Sequence, residues 1–135
     1  MGSFIRLPCR SYLLPMKFIL LFHLDEKHWA GLTAAKRDRL WAECDQLARE
    51  FAAGGHSGPG AALHPSSTAT TLRLQSGRRV INDGPFAETK EVLAGFQVVD
   101  CRDLDEALEL AARFPPLRVG ASVEVRPVME GSTSD

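Results

Sequence analysis

The sequence has few cysteines and no excess of charge of either sign. Its three cysteines, Cys9, Cys44 and Cys101, are odd in number and lack CxxC spacing, so neither a disulfide framework nor a zinc site is predicted. This cysteine usage is typical of a reducing compartment, and we expect a cytoplasmic protein. The 16 basic and 17 acidic residues leave a formal net charge of −1. Because a nonspecific nucleic-acid binder has a basic excess, we predict no nucleic-acid partner.

Long hydrophobic runs and common catalytic or cofactor motifs are also missing. The longest mostly apolar run, from Phe18 to Leu24, is too short to cross a bilayer as a helix, so no membrane association is predicted. No GxGxxG, Walker-type or GxSxG motif occurs, which removes the usual support for nucleotide binding and serine hydrolysis. The four histidines have no HxH or HxxxH spacing. We therefore predict neither a metal nor a cofactor.

A chain of 135 residues is typical of a single domain with one core. Residues 1–15 include Arg6 and Arg10 but no acidic residue, and their apolar residues are too interrupted for a secretory signal. We interpret this segment as an N-terminal extension, either disordered or upstream of the true start. The domain is predicted to span residues 16–129, followed by a disordered tail at 130–135.

Hydrophobic periodicity predicts alternating strands and helices. The predicted elements are a buried strand from Phe18 to Leu24, a helix capped by Thr33 that runs to Phe51, one or two short strands between residues 60 and 82, a strand from Val92 to Cys101, a helix capped by Asp103, and a half-buried strand from Val119 to Val128. Residues 25–32 are predicted to form a polar loop. The second helix is expected to bury one face with Leu104, Ala107, Leu108, Ala111 and Phe114.

The order βαββαβ predicts an α+β fold of the ferredoxin-like kind, with the first and third main strands in the middle of the sheet and the last at an edge. Two helices can cover only one face of such a sheet. The first strand, however, is apolar on both faces, with Phe18 and Leu20 on one side and Ile19 and Leu21 on the other. We expect a second copy of the chain to cover the remaining face, giving a homodimer with a cleft between the subunits.

Three motifs give the chain a family resemblance. They are the turn segment Asp83-Gly84-Pro85-Phe86-Ala87-Glu88-Thr89-Lys90-Glu91, the segment Asp103-Leu104-Asp105-Glu106-Ala107 and the closing Val123-Glu124-Val125-Arg126-Pro127-Val128. Together they resemble the DGPF family of YCII-related proteins from Met16 to Val128. The resemblance implies a dimeric α/β-barrel. It also implies either a small-molecule cleft with lyase- or isomerase-like chemistry or, alternatively, a non-catalytic accessory role beside an extracytoplasmic-function sigma factor.

The resemblance further implies a histidine and an aspartate in the cleft. The family histidine lies in the first helix, yet no histidine occurs between Thr33 and Phe51. We therefore consider His23, at the end of the first strand, and Asp83, at the start of the DGPF turn, as a general acid/base pair. The alternative is structural: His23 is a satisfied strand-end histidine, and Asp83 hydrogen-bonds the backbone of its own turn.

Five further residues are candidates for ligand binding. Arg73 and Lys90 could hold an anionic substrate or form an intersubunit ion pair, whereas Glu88 and Lys90 could equally be a solvated strand entry. His64 precedes a proline in a loop, which is more typical of an outward-facing histidine than of a ligand. Phe86 is the large apolar group of the motif, and we expect it to fill the barrel or the dimer cleft.

Overall fold

The computed structural model describes residues 16–129; the predicted extension 1–15 and tail 130–135 lie outside the described residues. The strands are β1 (Met16–Leu24), β2 (Ser57–Ala62), β3 (Thr70–Gln75), β4 (Arg78–Asp83), β5 (Val92–Cys101) and β6 (Ser122–Pro127). The helices are α1 (Glu26–Ala30), α2 (Ala34–Ala53) and α3 (Leu104–Ala111). All strand pairs are antiparallel. This combination of helices and antiparallel sheets confirms the predicted α+β class.

The main sheet has four strands in the order β2-β5-β1-β6. The first and third main strands, β1 and β5, therefore lie in the middle, and the last strand, β6, lies at an edge, as the sequence predicted. The register pairs Phe18 with Val99 and Leu20 with Val125. Because directly paired residues point to the same face of a sheet, these side chains form one continuous apolar surface.

This surface is the core face of the sheet, and helices α2 and α3 cover it. Phe18, Leu20 and Val99 are the largest fully buried side chains, and they cluster with Phe51 from α2 and Leu110 from α3. Val123 and Val125 of β6 pack against the same cluster. The core of the described chain is thus a two-layer sandwich of helices on one face of the sheet.

Side-chain caps start each helix. The hydroxyl of Thr33 accepts a hydrogen bond from the Lys36 amide at 3.1 Å, which begins α2 where the sequence predicted. The prediction of a polar loop at residues 25–32 was wrong, because Asp25 accepts hydrogen bonds from two backbone amides and begins the short helix α1. Trp29 of α1 packs edge-on against Trp41 of α2, which holds α1 in place.

No helix within residues 16–129 is long and apolar enough to span a bilayer.

Helix α3 buries only part of the predicted face: Ala107 and Ala111 are buried as expected, whereas Leu104 and Leu108 are not. Its cap is as expected, since Asp103 accepts from the Glu106 amide at 2.9 Å. The helix ends at Ala111, however, and it buries Ala107, Leu110 and Ala111, while Leu104 and Leu108 remain about half exposed. The sequence pattern could not separate the two faces, because this short helix is apolar on both. Phe114 lies beyond the helix and stacks on Phe22 of β1, with ring centroids 4.2 Å apart.

The edge strand β2 contains Gly58, Pro59 and Gly60. A side chain at Gly60 would clash with its neighbours on β5, since a Cβ there would lie 2.7 Å from the carbonyl oxygen of Phe96. The glycine is therefore required for the close approach of β2 to β5. Pro59 has no amide hydrogen and is compatible with this position because β2 lies at an edge.

Strands β3 and β4 form a separate two-stranded sheet, called here the hairpin. Ser76 and Gly77 connect the strands with positive φ angles of 52° and 77°, the backbone of a type I′ turn. The sequence predicted one or two strands in residues 60–82 but did not separate β2, which joins the main sheet, from the hairpin, which does not.

Candidate functional site

The sheet face opposite the core is called here the open face. Ile19 pairs with Val98 and Leu21 pairs with Phe96, so these four apolar side chains form its centre. Each is only partly buried, and none belongs to the core cluster. At one end of the face, Lys17 forms an exposed ion pair with Asp100, with Nζ and Oδ1 2.9 Å apart. The open face is thus an apolar strip with a charged boundary.

The opposite end of the open face carries a polar group around His23. His23 pairs with Ser122 of β6, so the two side chains are cross-strand neighbours. The hydroxyl of Ser122 donates a hydrogen bond to Oε1 of Glu91 at 2.7 Å. A histidine, a hydroxyl and a carboxylate therefore lie together at the edge of an apolar strip, an arrangement that can bind a polar group and exchange protons with it.

The imidazole of His23 has one anchored nitrogen. Nδ1 lies 3.2 Å from the carbonyl oxygen of Leu21. Because a carbonyl can only accept, this contact favours the tautomer in which Nδ1 carries the hydrogen and Nε2 carries the lone pair. In that form His23 presents a base at Nε2.

The hairpin has an apolar face that none of the described residues buries. Leu72 pairs with Ile81, and Leu74 lies two residues further along β3 on the same side. These three side chains are 56%, 57% and 70% exposed. We call them the apolar hairpin face. Single exposed leucines are common, but three adjacent large apolar residues on an exposed strand pair indicate an interaction surface.

Asp83 lies on this same side of the hairpin. It is the last residue of β4 and pairs with Thr70, which places it two residues from Ile81 along the strand. Gly84 follows with φ of 102°, a conformation that favours glycine, and its amide donates to the carbonyl of Ala69 at 2.6 Å. The predicted Asp-Gly-Pro turn is therefore formed, and it holds Asp83 at the base of the hairpin.

Arg73 and Phe86 are brought together by the fold. Nη2 of Arg73 donates a hydrogen bond to the carbonyl oxygen of Phe86 at 2.9 Å, so the arginine fastens the DGPF segment to the hairpin. The side chain of Phe86 is 76% exposed. It fills no cavity formed by the described residues, and its place in the barrel or the dimer cleft stays a prediction.

The other ligand-binding candidates are exposed. Glu88 and Lys90 lie in the segment that leads into β5, and His64 lies in the loop after β2. Near His64, the loop is tied to α1, because Glu26 accepts hydrogen bonds from the Ser66 amide at 2.8 Å and from its hydroxyl at 2.6 Å. These contacts position the loop that leads into the hairpin.

The two described cysteines are protonated near neutral pH. Burial raises the pKa of the Cys44 thiol to about 11, with Asp45 and Glu43 adding to the effect. Burial likewise raises the pKa of Cys101 to about 11, with a further contribution from Glu106. Because the thiolate is the reactive form, neither thiol is a nucleophile on its own.

Sequence reasoning missed Ser122 and the role of Glu91. The two lie far apart in the chain and become neighbours only because β6 pairs with β1 beside the start of β5. Polar and apolar residues alternate along β6, and Ser122 is one of the polar ones. The register between β6 and β1 would therefore have been enough to identify Ser122 as a neighbour of His23.

Two comparisons identify relatives of this chain. The family model of the YCII-related domain matches residues 16–132. A protein of Rhizobium meliloti (strain 1021) that is described as uncharacterized is 37% identical over 114 residues, which cover 84% of this chain and 92% of the relative. The match begins at the first residue of β1 and includes every described helix and strand. The chain therefore belongs to the YCII-related domain family.

Proposed function

We propose that this protein is a cytoplasmic homodimer that binds a small molecule in a cleft between its subunits and carries out lyase- or isomerase-like acid/base chemistry there. The observation that carries the proposal is that residues 16–129 leave two apolar surfaces incompletely covered, the centre of the open face and the apolar hairpin face.

A second copy of the chain is the partner that these surfaces favour. Each subunit supplies both an apolar sheet face and an apolar hairpin, so a two-fold arrangement can cover the surfaces of both subunits with no other protein. The formal net charge of −1 means that two copies repel each other only weakly. Face-to-face association would also produce the dimeric barrel that the sequence predicted.

The acid/base pair in this cleft is His23 with Asp83. His23 lies at the polar end of the open face, and Asp83 lies on the side of the hairpin that carries Leu72 and Ile81. Docking the apolar hairpin face against an open face would bring both into one cleft. His23 would remove a proton through Nε2, and Asp83 or Glu91 would stabilise the resulting imidazolium.

An anionic ligand fits the remaining candidates. Arg73 lies on the side of the hairpin opposite Leu72, so with Lys90 it would supply positive charge beside the DGPF turn at the cleft rim, where Phe86 supplies an exposed aromatic ring. Glu88 and His64 would contact polar groups at the cleft rim. A small carboxylic acid has the matching chemistry, a charged end and a short carbon skeleton.

The dimer is tested by light scattering on the full chain, with two variants that change charge equally. Leu72→Glu introduces a carboxylate into the apolar hairpin face and is expected to give a monomer. Gln75→Glu adds the same charge on the opposite side of the hairpin and is expected to leave the dimer intact. A wild-type monomer without exposed apolar surface in a dye-binding assay would contradict the proposal.

The site is tested with a panel of small mono- and dicarboxylic acids, using thermal shift for binding and NMR for turnover. His23→Gln and Asp83→Asn are expected to remove the ligand-dependent melting shift and at least a hundredfold of any turnover. His28→Gln and Asp45→Asn make the same chemical changes at exposed positions of α1 and α2 and should have no effect. Unchanged binding and turnover in Asp83→Asn would show that the site is elsewhere.

A second candidate function is an accessory role beside an extracytoplasmic-function sigma factor. It is favoured by Leu104 and Leu108, which lie one turn apart on α3 and are both about half exposed. An i, i+4 pair of leucines on a helix surface is a typical contact for a partner helix.

This alternative is tested by a pull-down with a sigma factor from the same organism. Retention that is lost in Leu104→Lys/Leu108→Lys but kept in Leu72→Glu would support the accessory role and place its interface on α3. Absence of retention would contradict it and leave the cleft proposal untouched.

A further inference from the structure

A second group of polar side chains lies away from the open face, where β2, β5 and α3 meet. His56 directly precedes β2, Cys101 is the last residue of β5, and Glu106 lies in the first turn of α3. One potential ligand atom from each of the three lies within 4.8 Å of those of the other two. His56 and Glu106 are partly buried, and Cys101 is buried.

We propose that His56, Cys101 and Glu106 bind one zinc-type divalent cation. An imidazole nitrogen, a thiolate sulfur and a carboxylate oxygen are the protein ligands that Zn²⁺ prefers. Three protein ligands leave the fourth tetrahedral position open for water or another ligand.

The orientation of His56 supports this assignment. Nδ1 of His56 is 2.8 Å from the carbonyl oxygen of Asp100, and the backbone amide of Asp100 in turn donates to the carbonyl of His56 at 2.9 Å. Nδ1 therefore carries the hydrogen and Nε2 carries the lone pair. Metal-binding histidines commonly have their second nitrogen held by a backbone carbonyl in this way.

The carboxylate of Glu106 is held in place as well. Oε1 accepts a hydrogen bond from the Arg102 amide at 2.8 Å, and Oε2 lies 3.4 Å from Nη1 of Arg102. The first of these contacts also caps α3, which gives Glu106 a structural role without a metal. A test must therefore separate the cap from the ligand.

The geometry requires only a local adjustment. Bond lengths of about 2.0 Å to nitrogen and oxygen and about 2.3 Å to sulfur place tetrahedral ligand atoms roughly 3.3–3.5 Å apart. The three atoms would have to approach each other by up to about 1.5 Å from their present separations of at most 4.8 Å, a movement within reach of side-chain rotation. Metal binding would displace the thiol proton of Cys101 to solvent, since a coordinated thiol is deprotonated.

Such a site would join the edge strand β2 and the start of α3 to the central strand β5. Motif spacing gives no sign of it, because His56 lies far from Cys101 in the sequence and the three residues meet only through the pairing of β2 with β5. The proposal does not depend on the cleft, the dimer or the acid/base pair.

The experiment is a Co²⁺ titration of the untagged full chain after treatment with a chelator and a thiol reductant. We expect one Co²⁺ per chain, with a thiolate-to-cobalt band in the near ultraviolet and visible bands of tetrahedral cobalt, all lost on addition of Zn²⁺. Cys101→Ser is expected to lose the thiolate band. Cys44→Ser and Cys9→Ser are matched controls that should keep it.

Glu106→Gln separates coordination from capping. The glutamine oxygen can still accept from the Arg102 amide, so the melting temperature in EDTA should change little, while Zn²⁺ affinity should fall at least tenfold. His56→Gln should weaken binding by a similar factor. The proposal is overturned if wild type gives no thiolate band, if the band persists in Cys101→Ser, or if Glu106→Gln binds Zn²⁺ as tightly as wild type.

Discussion

The four-stranded sheet and the hairpin contain the same kinds of apolar side chain but bury them very differently. Leu20 in β1 is 0% exposed, whereas Leu72 in β3 is 56% exposed. The difference follows from the elements around them, since α2 and α3 cover the core face of the sheet and no residue of β3 or β4 is fully buried. Apolar residues on the core face of the sheet therefore stabilise the single chain, whereas the described residues leave those of the hairpin exposed.

The largest difference in stability between the two regions is expected when one leucine in each is replaced by alanine. Leu20→Ala should destabilise the chain by about 2–5 kcal/mol, because it opens a cavity in the packed core. Leu74→Ala should change the stability of the monomer by less than about 0.5 kcal/mol. Urea unfolding at protein concentrations low enough to give monomer measures both values. Equal losses of unfolding free energy in the two variants would contradict the distinction between a buried sheet face and an exposed hairpin.

A smaller effect is expected where the two regions are joined. Glu26→Ala removes both hydrogen bonds to Ser66 and should cost about 1.5–3 kcal/mol locally, since one partner is a carboxylate. Amides of the hairpin should then exchange roughly ten- to a hundredfold faster. Lys27→Ala, one residue along α1, is the control and should leave their exchange unchanged.

A smaller loss of stability is expected after the end of β4, where the chain leaves the hairpin. The hydroxyl of Thr71 donates to the carbonyl of Gly84 at 2.8 Å, and Thr71→Val keeps the shape of the side chain but removes the donor. We expect a loss of about 0.5–1.5 kcal/mol, seen as faster hydrogen exchange at β4 and the DGPF turn. Faster exchange throughout β1 and β5 would mean instead that the hairpin and the sheet unfold as one unit.

The last effect depends on pH and is expected from helix α2, which covers the core face of the sheet. Burial raises the pKa of Cys44 on α2 from 9.0 to about 11, so the unfolded chain loses this proton before the folded chain does. The stabilising contribution is complete below pH 9 and disappears as the pH rises towards 11. Melting temperatures of wild type and Cys44→Ala should therefore converge over this range, and a constant difference would contradict the shift.

The sequence predicted those parts of the fold that depend on local chemistry. The caps at Thr33 and Asp103 and the glycine turn at Gly84 are formed as expected, because each requires only neighbouring residues. The buried face of α3 was predicted only in part: Ala107 and Ala111 are buried as expected, but Leu110 is buried instead of Leu104 and Leu108. An eight-residue helix with apolar residues on two faces has no single preferred orientation.

The candidate site was less accessible to prediction from sequence. His23 and Asp83 were proposed from residue type and motif, but the neighbours of His23 depend on the register between β1 and β6. Ser122 and Glu91 meet through that register alone. Pairings between distant strands are not encoded in any short segment, so periodicity could give the faces of the strands but not the residues opposite them.

The proline in β2 limits how this protein can assemble. An exposed sheet edge offers free amides and carbonyls to any other strand, and uncontrolled pairing there leads to fibres. Pro59 removes a donor from that edge, and the small residues around it provide little side chain to pack. Further copies are thus discouraged from pairing with the β2 edge, and the proposed association through the sheet faces would give a closed particle rather than an open-ended polymer.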